Sequence, residues 1–318
     1  MMLFEAYQSL IGRFPEDCIG LFGSKVSWQQ GLWLALNEDG FPHVLLESCG
    51  SDGQPDLELK SVAARFDCPC DFRLQDGSEL VGKYTLVSLR DDDPDLVRVF
   101  LRLLEEALLT NGDHGSAAHI RQHIVAIADI FARQSDDVRD VLGLWGELHV
   151  IRSSKDKLAA VKAWSSSPRA RYDFVSKDFA LEVKTTLRAA RQHRFSLEQL
   201  RPQEDLTIFI ASIVLVEQQG GETASELMDS IYEAIAEPEI RSQFYQHCIR
   251  KGGADIYGSA LRLSTLPDGN SLQLFNAETL PVPSFGQDAP IKNVRFDIFM
   301  DSCQSIPPEI HAEKISFA

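Results

Sequence analysis

The sequence predicts an α/β protein in which a β-rich N-terminal lobe and a helical connector precede a mixed α/β core. Three observations predict it. The first ~90 residues break into short apolar runs punctuated by turn residues. Two stretches with helical apolar spacing follow. The chain then runs helix, two strands, helix, strand and helix before a β-like tail, an order that builds a sheet flanked by helices. The expected divisions are 1–92 for the lobe, 93–134 for the connector and 135–318 for the core domain.

In the lobe, GLWLALNEDGFPHVLLES reads as two strands joined at Glu38-Asp39-Gly40. ELKSVAARF, CDFRLQDGSELVG and KYTLVSLR continue as short strands with a turn at Asp76-Gly77. Asp93-Pro94 opens the first connector helix, because an acidic N-cap followed by proline at the first helical position is a helix start. AAHIRQHIVAIADIFARQ is the second helix. SDDVRDVLGLWGELHVIRS is the third, with acids at its start and an apolar stripe of Val138, Val141, Leu142, Trp145 and Leu148. Strands are expected at 171–175 and 179–186, and a short helix from Ser196. LTIFIASIVLVEQ is long and β-branched enough for a fully buried strand. Two helices divided near Pro238 follow, then a β-like tail with a Pro-rich link at Leu280-Pro-Val-Pro283.

Composition bounds the function. At 318 residues, 44% hydrophobic and 25% charged, the chain has the makings of a real core in about two domains. No apolar run reaches the ~18 residues of a membrane span. The N-terminal MMLFEAYQSLIGRFPEDC lacks the basic start and apolar centre of a signal peptide, so a cytoplasmic protein without a membrane partner is expected. The six cysteines are scattered, and Cys68-Pro-Cys70 is too tight for a metal knuckle, so reduced thiols are expected. His119 and His123 lie one helical turn apart, but Ile120 stands where a zincin has glutamate. Without a P-loop, a dinucleotide fingerprint or a GxSxG elbow, nucleotide hydrolysis by this chain and serine-hydrolase chemistry have no support.

The net charge of −16 argues against a polyanionic partner until it is divided along the chain. Residues 1–95 carry net −10 and residues 205–318 net −9, whereas residues 152–201 hold 12 basic and 5 acidic side chains. An acidic protein with one basic island is compatible with a polyanion reaching a local site. A solvated, mixed-charge surface would give the same count.

The informative segment is Arg171-Tyr-Asp-Phe-Val-Ser-Lys-Asp-Phe-Ala-Leu-Glu-Val-Lys-Thr-Thr186. A hairpin turning at Lys177-Asp178, or over 176–179, pairs residues whose numbers sum to 355. Asp173 then stands opposite Glu182, on one face with Cβ atoms ~5 Å apart. Lys184, two residues on, shares that face, while Leu181 and Val183 point away. Two carboxylates that close are unfavourable unless neutralised. A hard divalent cation does this, and Mg²⁺ is held by one or two carboxylates with water and phosphate oxygens. Lys184 would then orient or help deprotonate water, or pair with the scissile phosphate. An ordinary salt-bridged hairpin is the plainer reading of the same alternation.

This D-x8-E-V-K pattern resembles the catalytic hairpin of the PD-(D/E)XK nuclease superfamily, the restriction-endonuclease-like fold. Three stretches are similar to the bacterial PD-(D/E)XK motif proteins of restriction and phage-defence loci: Leu142-Gly-Leu-Trp-Gly-Glu-Leu148, Tyr172-Asp-Phe174 with Leu181-Glu-Val-Lys-Thr-Thr186, and His193-Arg-Phe-Ser-Leu-Glu-Gln-Leu200. The resemblance covers about residues 140–216. It implies a restriction-endonuclease-like core in 135–318, with Asp173 and Glu182 as metal ligands and Lys184 as the catalytic lysine. Glu147 matches the acid that the superfamily often supplies from its first core helix. Tyr172 stands where the motif has proline.

The implied activity is metal-dependent endonucleolytic hydrolysis of DNA phosphodiesters, with Mg²⁺ as cofactor and Mn²⁺ able to substitute. The implied setting is restriction or anti-phage defence, with ATPase or helicase-like partner proteins; a homodimer would suit double-strand cutting. The superfamily also contains silent members, so a DNA-binding or scaffold subunit is the alternative. Gln199 is either a further site residue or the closing member of a Ser196–Gln199 capping box. Arg188, Arg191, His193 and Arg194 either contact phosphates or simply lie at the surface.

Overall fold

The computed structural model describes residues 2–48, 50, 53–59, 61–111, 116–132, 140–165, 167, 170–201, 206–266, 270–284, 293–315 and 317. The chain divides into two compact units: Met1–Val138 with Glu237–Asp255, and Arg139–Ala236 with Ile256–Ala318. The expected start of the third helix, at 135–139, lies outside the described residues, as does Cys49.

In the first unit, α1 (Leu3–Leu10) precedes β1 (Leu21–Lys25), β2 (Leu32–Leu36), β3 (Pro42–Glu47), β4 (Leu57–Glu58), β5 (Val62–Leu74) and β6 (Glu79–Leu89). The sheet runs β1-β2-β3-β6-β5-β4, and β1 also pairs in parallel with the far end of β5, so five strands close into a ring. Leu21, Trp33, Ala35, Leu45, Phe72 and Tyr84 form one cluster to which every strand of the ring contributes. The predicted turns at 38–40 and 76–77 are present, with Gly40 and Gly77 at positive φ. The predicted short pieces over 62–89 are instead two long strands. Their register shifts between Arg65 and Cys68, where Asp67 adopts φ 51° and its carboxylate accepts from Ser48 and Lys83. A bulge lets a long strand bend instead of ending.

The helices α2 (Pro94–Asn111) and α3 (Ala117–Ala132) follow. Asp93 caps α2, its carboxylate accepting from the backbone of Asp95 and Leu96. Helix α8 (Pro238–Gly252) comes from far along the chain yet belongs to this unit. Arg241 on α8 meets the wholly buried Glu106 of α2 at 2.8 Å, and Arg102 lies over the ring of Tyr245. The expected core segment 135–318 is therefore interrupted at 237–255.

The second unit carries α4 (Val141–Ser153), α5 (Lys157–Ala163), β7 (Phe174–Val175), β8 (Phe179–Thr186), β9 (Gln192–Ser196), α6 (Leu197–Leu200), β10 (Thr207–Glu222) and α7 (Ala224–Ala234). It ends with β11 (Leu263–Thr265), β12 (Leu272–Asn276), β13 (Arg295–Phe299) and α9 (His311–Lys314). The result is a mixed α/β unit. Its sheet runs β11-β10-β8-β7, with β12 also on β10 and a separate ribbon of β9 and β13. Strands β8 and β10 are parallel, and the fully buried run from Ile208 to Leu215 matches the expected central strand. Phe317 packs against Phe174 and Phe179, pinning the hairpin from its apolar side.

Helix α4 is capped by Asp140, which accepts from the backbone N–H of Gly143, and it lies against β8. Gly146 makes the approach possible: a Cβ there would sit 2.2 Å from Thr185 Cγ2 and 3.3 Å from Val183 Cγ1. Among the described residues no helix is long and apolar enough to cross a membrane, and Cys18, Cys68, Cys70, Cys248 and Cys303 are free thiols. Gly146→Val should force α4 off β8 and cost about 1–3 kcal/mol as overpacking does. Chemical denaturation should show this as a lower midpoint, while an alanine at exposed Gly220 leaves the midpoint within ~1 kcal/mol of wild type.

Candidate active site

The hairpin forms in the register its sequence dictates. Ser176 N donates to the Phe179 carbonyl across the turn, and Phe174 pairs with Leu181 and Val175 with Ala180. Both pairs sum to 355, the register the hairpin arithmetic expects, and Asp173 is the residue just before β7. Strand β7 is only two residues long, so at Val183 the ladder has no backbone acceptor on that side. Asp173 Oδ2 takes this N–H at 2.8 Å. The carboxylate is thereby fixed at the strand edge beside the Glu182 position.

Glu182 is 5% exposed, and alternation puts Ala180, Glu182 and Lys184 on one face of β8. Lys184 Nζ donates to Glu182 Oε1 at 2.6 Å, and Gln199 Nε2 donates to the same oxygen at 2.5 Å. The Phe195 ring lies beneath the ammonium at 5.6 Å. Gln199 closes the expected capping box, its Oε1 accepting from Ser196 N at 3.0 Å, while its amide nitrogen reaches Glu182. Structure thus joins Glu182, Lys184 and Gln199 directly.

Glu147 is buried on α4, and the Trp164 indole N–H donates to its carboxylate. Trp164 bridges to Phe174 and Ser165 N donates to the Asp173 carbonyl, so the acid is held near the base of β7. Among the described residues, however, no three carboxylates, histidines or cysteines group as a metal site. Among these described residues Glu147 does not group with Asp173 and Glu182, and its carboxylate accepts from the Trp164 indole. Asp173 and Glu182 are the hard-oxygen donors of the hairpin, and two such donors suit a cation that takes its other ligands from water and phosphate.

A family model described as "Putative PD-(D/E)XK family member, (DUF4420)" matches residues 52–264, more than half of the chain and all of the residues above. The chain belongs to the DUF4420 family. No curated protein and no solved structure matches it. The family description and the resemblance read from the hairpin point to the same nuclease-like superfamily.

In this DUF4420 protein the four basic candidates after the hairpin separate into two pairs. Arg188 and Arg194 are exposed, Arg194 pairing with Asp297 at 2.9 Å. Arg191 and His193 are 4% and 5% exposed, which removes them from the expected phosphate-contacting set. The Arg191 guanidinium donates to the carbonyls of Ser212, Asn270 and Ser271 and to Ser212 Oγ. His193 Nε2 shares a 2.7 Å hydrogen bond with the same hydroxyl. Ser212 is the register partner of Lys184 on β10, so this network borders the candidate site.

Sequence reasoning missed Trp164, Phe195 and Ser212. Ser212 left a signal, as the one polar residue within the buried apolar run 208–215 of β10. Tyr172, noted only as a departure from the motif, fills the core beside Ala180, Phe195 and Ile210, and burial raises its phenol above the usual value.

Burial, with the charges of Lys184 and Arg191 adding to it, pushes His193 down to about 4. The unfolded chain takes up this proton near pH 6.5 and the folded chain only near pH 4. The stability that the neutral imidazole provides is therefore complete above pH 6.5 and lost as pH falls toward 4. Denaturation across that window should show the advantage of wild type over His193→Gln shrinking by about 3 kcal/mol. A gap that stays constant would mean the imidazole is charged in the fold.

Proposed function

We propose that this protein is a metal-dependent endodeoxyribonuclease whose restriction-endonuclease-like core is the succession α4-β7-β8-β9-α6-β10. The observation that carries the reading is the 2.6 Å contact of Lys184 with Glu182 on β8, whose next backbone N–H, at Val183, is taken by the Asp173 carboxylate. Asp173 and Glu182 would hold a divalent cation, Mg²⁺ with Mn²⁺ able to replace it. Such a cation, when bound, acidifies water and neutralises charge on a phosphate. Lys184 positions the attacking water or pairs with the scissile phosphate. Gln199 keeps Glu182 oriented, and Glu147 supports the base of the hairpin through Trp164 without being a ligand. A cytoplasmic restriction or anti-phage setting, with motor-type partner proteins and a dimer for double-strand cutting, belongs to the same proposal.

A second reading, a silent DNA-binding or scaffold subunit, is favoured by one observation: each acid already has a protein donor, and no three-donor cluster forms among the described residues. Supercoiled-plasmid cleavage in Mg²⁺ or Mn²⁺ against EDTA separates the two. Wild type should cut only with metal, and Lys184→Ala should lose about 10²-fold or more in rate. Calorimetry should find Mn²⁺ binding to wild type that weakens in Asp173→Asn and Glu182→Gln at unchanged far-UV dichroism. Undiminished cutting by Lys184→Ala would falsify the lysine assignment, and absent metal binding would favour the scaffold.

A further inference from the structure

The β9–β13 ribbon has two unlike faces. Its register pairs Ser196 with Arg295, Phe195 with Phe296, Arg194 with Asp297, His193 with Ile298 and Gln192 with Phe299. His193, Phe195 and Ile298 point inward and are buried, and through Phe195 and the Ser212 network they abut Lys184. The outward set contains Arg194, Arg295, Asp297 and Phe299, and Phe299 is 58% exposed. Arg188, exposed just before β9, adds its charge to the hold of Arg194 on Asp297, whose carboxyl lies below the usual range. Residues a hundred positions apart thus assemble one surface with three guanidinium groups, one carboxylate and an exposed aromatic ring.

We propose that this face grips a DNA duplex, with Arg188, Arg194 and Arg295 on phosphates and Phe299 against sugar or base. The proposal rests on the reading of the chain as a DNA-cleaving enzyme and assigns the surface by which the substrate is held. Charge complementarity selects the occupant. In a chain of net −16, three exposed arginines against Asp297, with Asp301 engaged by Arg191 at the end of the ribbon, is a local excess that a polyanion can use. A two-stranded ribbon is also a shape that the major groove admits. Asp297 is the restraint on this surface, because it holds Arg194 away from a competing phosphate.

Fluorescence anisotropy of the full chain with a labelled duplex in EDTA, at several salt concentrations, tests it without cleavage. Replacing Arg188, Arg194 and Arg295 together by alanine should weaken binding at least ~10-fold and lower the log–log salt slope by about 2 to 3, as the loss of three phosphate contacts requires. Phe299→Ala should weaken binding at unchanged slope. Asp297→Asn should tighten it, an outcome that damage to the fold would not produce. Arginine-to-lysine replacements should restore the slope. Unchanged affinity and slope in the alanine variant, with wild type binding and cutting DNA, overturn the grip and leave the nuclease reading intact. Failure of wild type to bind or cut DNA overturns both. Preference for single-stranded RNA, or for an acidic protein, lost in the alanine variant, overturns DNA as the occupant.

Discussion

Carboxylates gathered on one hairpin cost free energy unless each finds a donor. The second unit is arranged around this constraint. Asp173 is given the Val183 N–H, a donor that exists only because β7 stops at Phe174. Glu182 is given an ammonium and an amide on one oxygen. Glu147 is given an indole N–H. Each donor is supplied by an element held in place for another reason: Lys184 by the β8 ladder, Gln199 by the α6 capping box, Trp164 by its bridge to Phe174. Each acid is therefore held by a donor of its own.

The neighbourhood of Lys184 carries a second electrostatic cost. Arg191 is a nearly fully buried guanidinium, and a buried charge is sustained only when hydrogen-bonded throughout. Three backbone carbonyls, Ser212 Oγ and a long contact to Asp301 meet that need. The same hydroxyl serves His193, which burial, with the charges of Lys184 and Arg191 beside it, holds below its usual value. This network ties β9 to β10 and to the backbone at 270–271. The ribbon that walls the site is accordingly anchored through polar bonds as well as through Phe195 and Ile298.

How far the sequence was legible depends on the range of each interaction. The hairpin register could be read because a tight turn and a period of two fix it locally, and the same arithmetic placed Lys184 beside Glu182. The start of α2 could be read from Asp93-Pro94. Strand β9 could not, because His193 at an inward position breaks the apolar alternation that marks a half-buried strand. For the same reason Arg191 and His193 read as surface cations, whereas their burial is decided by Ser212, about twenty residues away. The second role of Gln199 depends on α6 folding back over β8, which no local pattern records. Helix α8 joins the first unit through Glu106–Arg241, a pairing of residues more than a hundred positions apart. The short strands expected over 62–89 proved continuous because Asp67 absorbs the irregularity that reads as a break.

Net charge is a sum over the chain, whereas a ligand meets the potential of one face. At physiological ionic strength the screening length is ~8 Å, so exposed acids beyond that distance contribute little at a given surface. What decides is the local inventory, and pairing across a ribbon makes that inventory different from anything contiguous in sequence. The basic island at 152–201 is itself misleading, since one of its arginines is buried and another is paired with Asp297. Arg295, from an acidic stretch of the chain, restores the balance on the outward face. An acidic protein can on this physics hold a polyanion where the fold, rather than the composition, concentrates its cations.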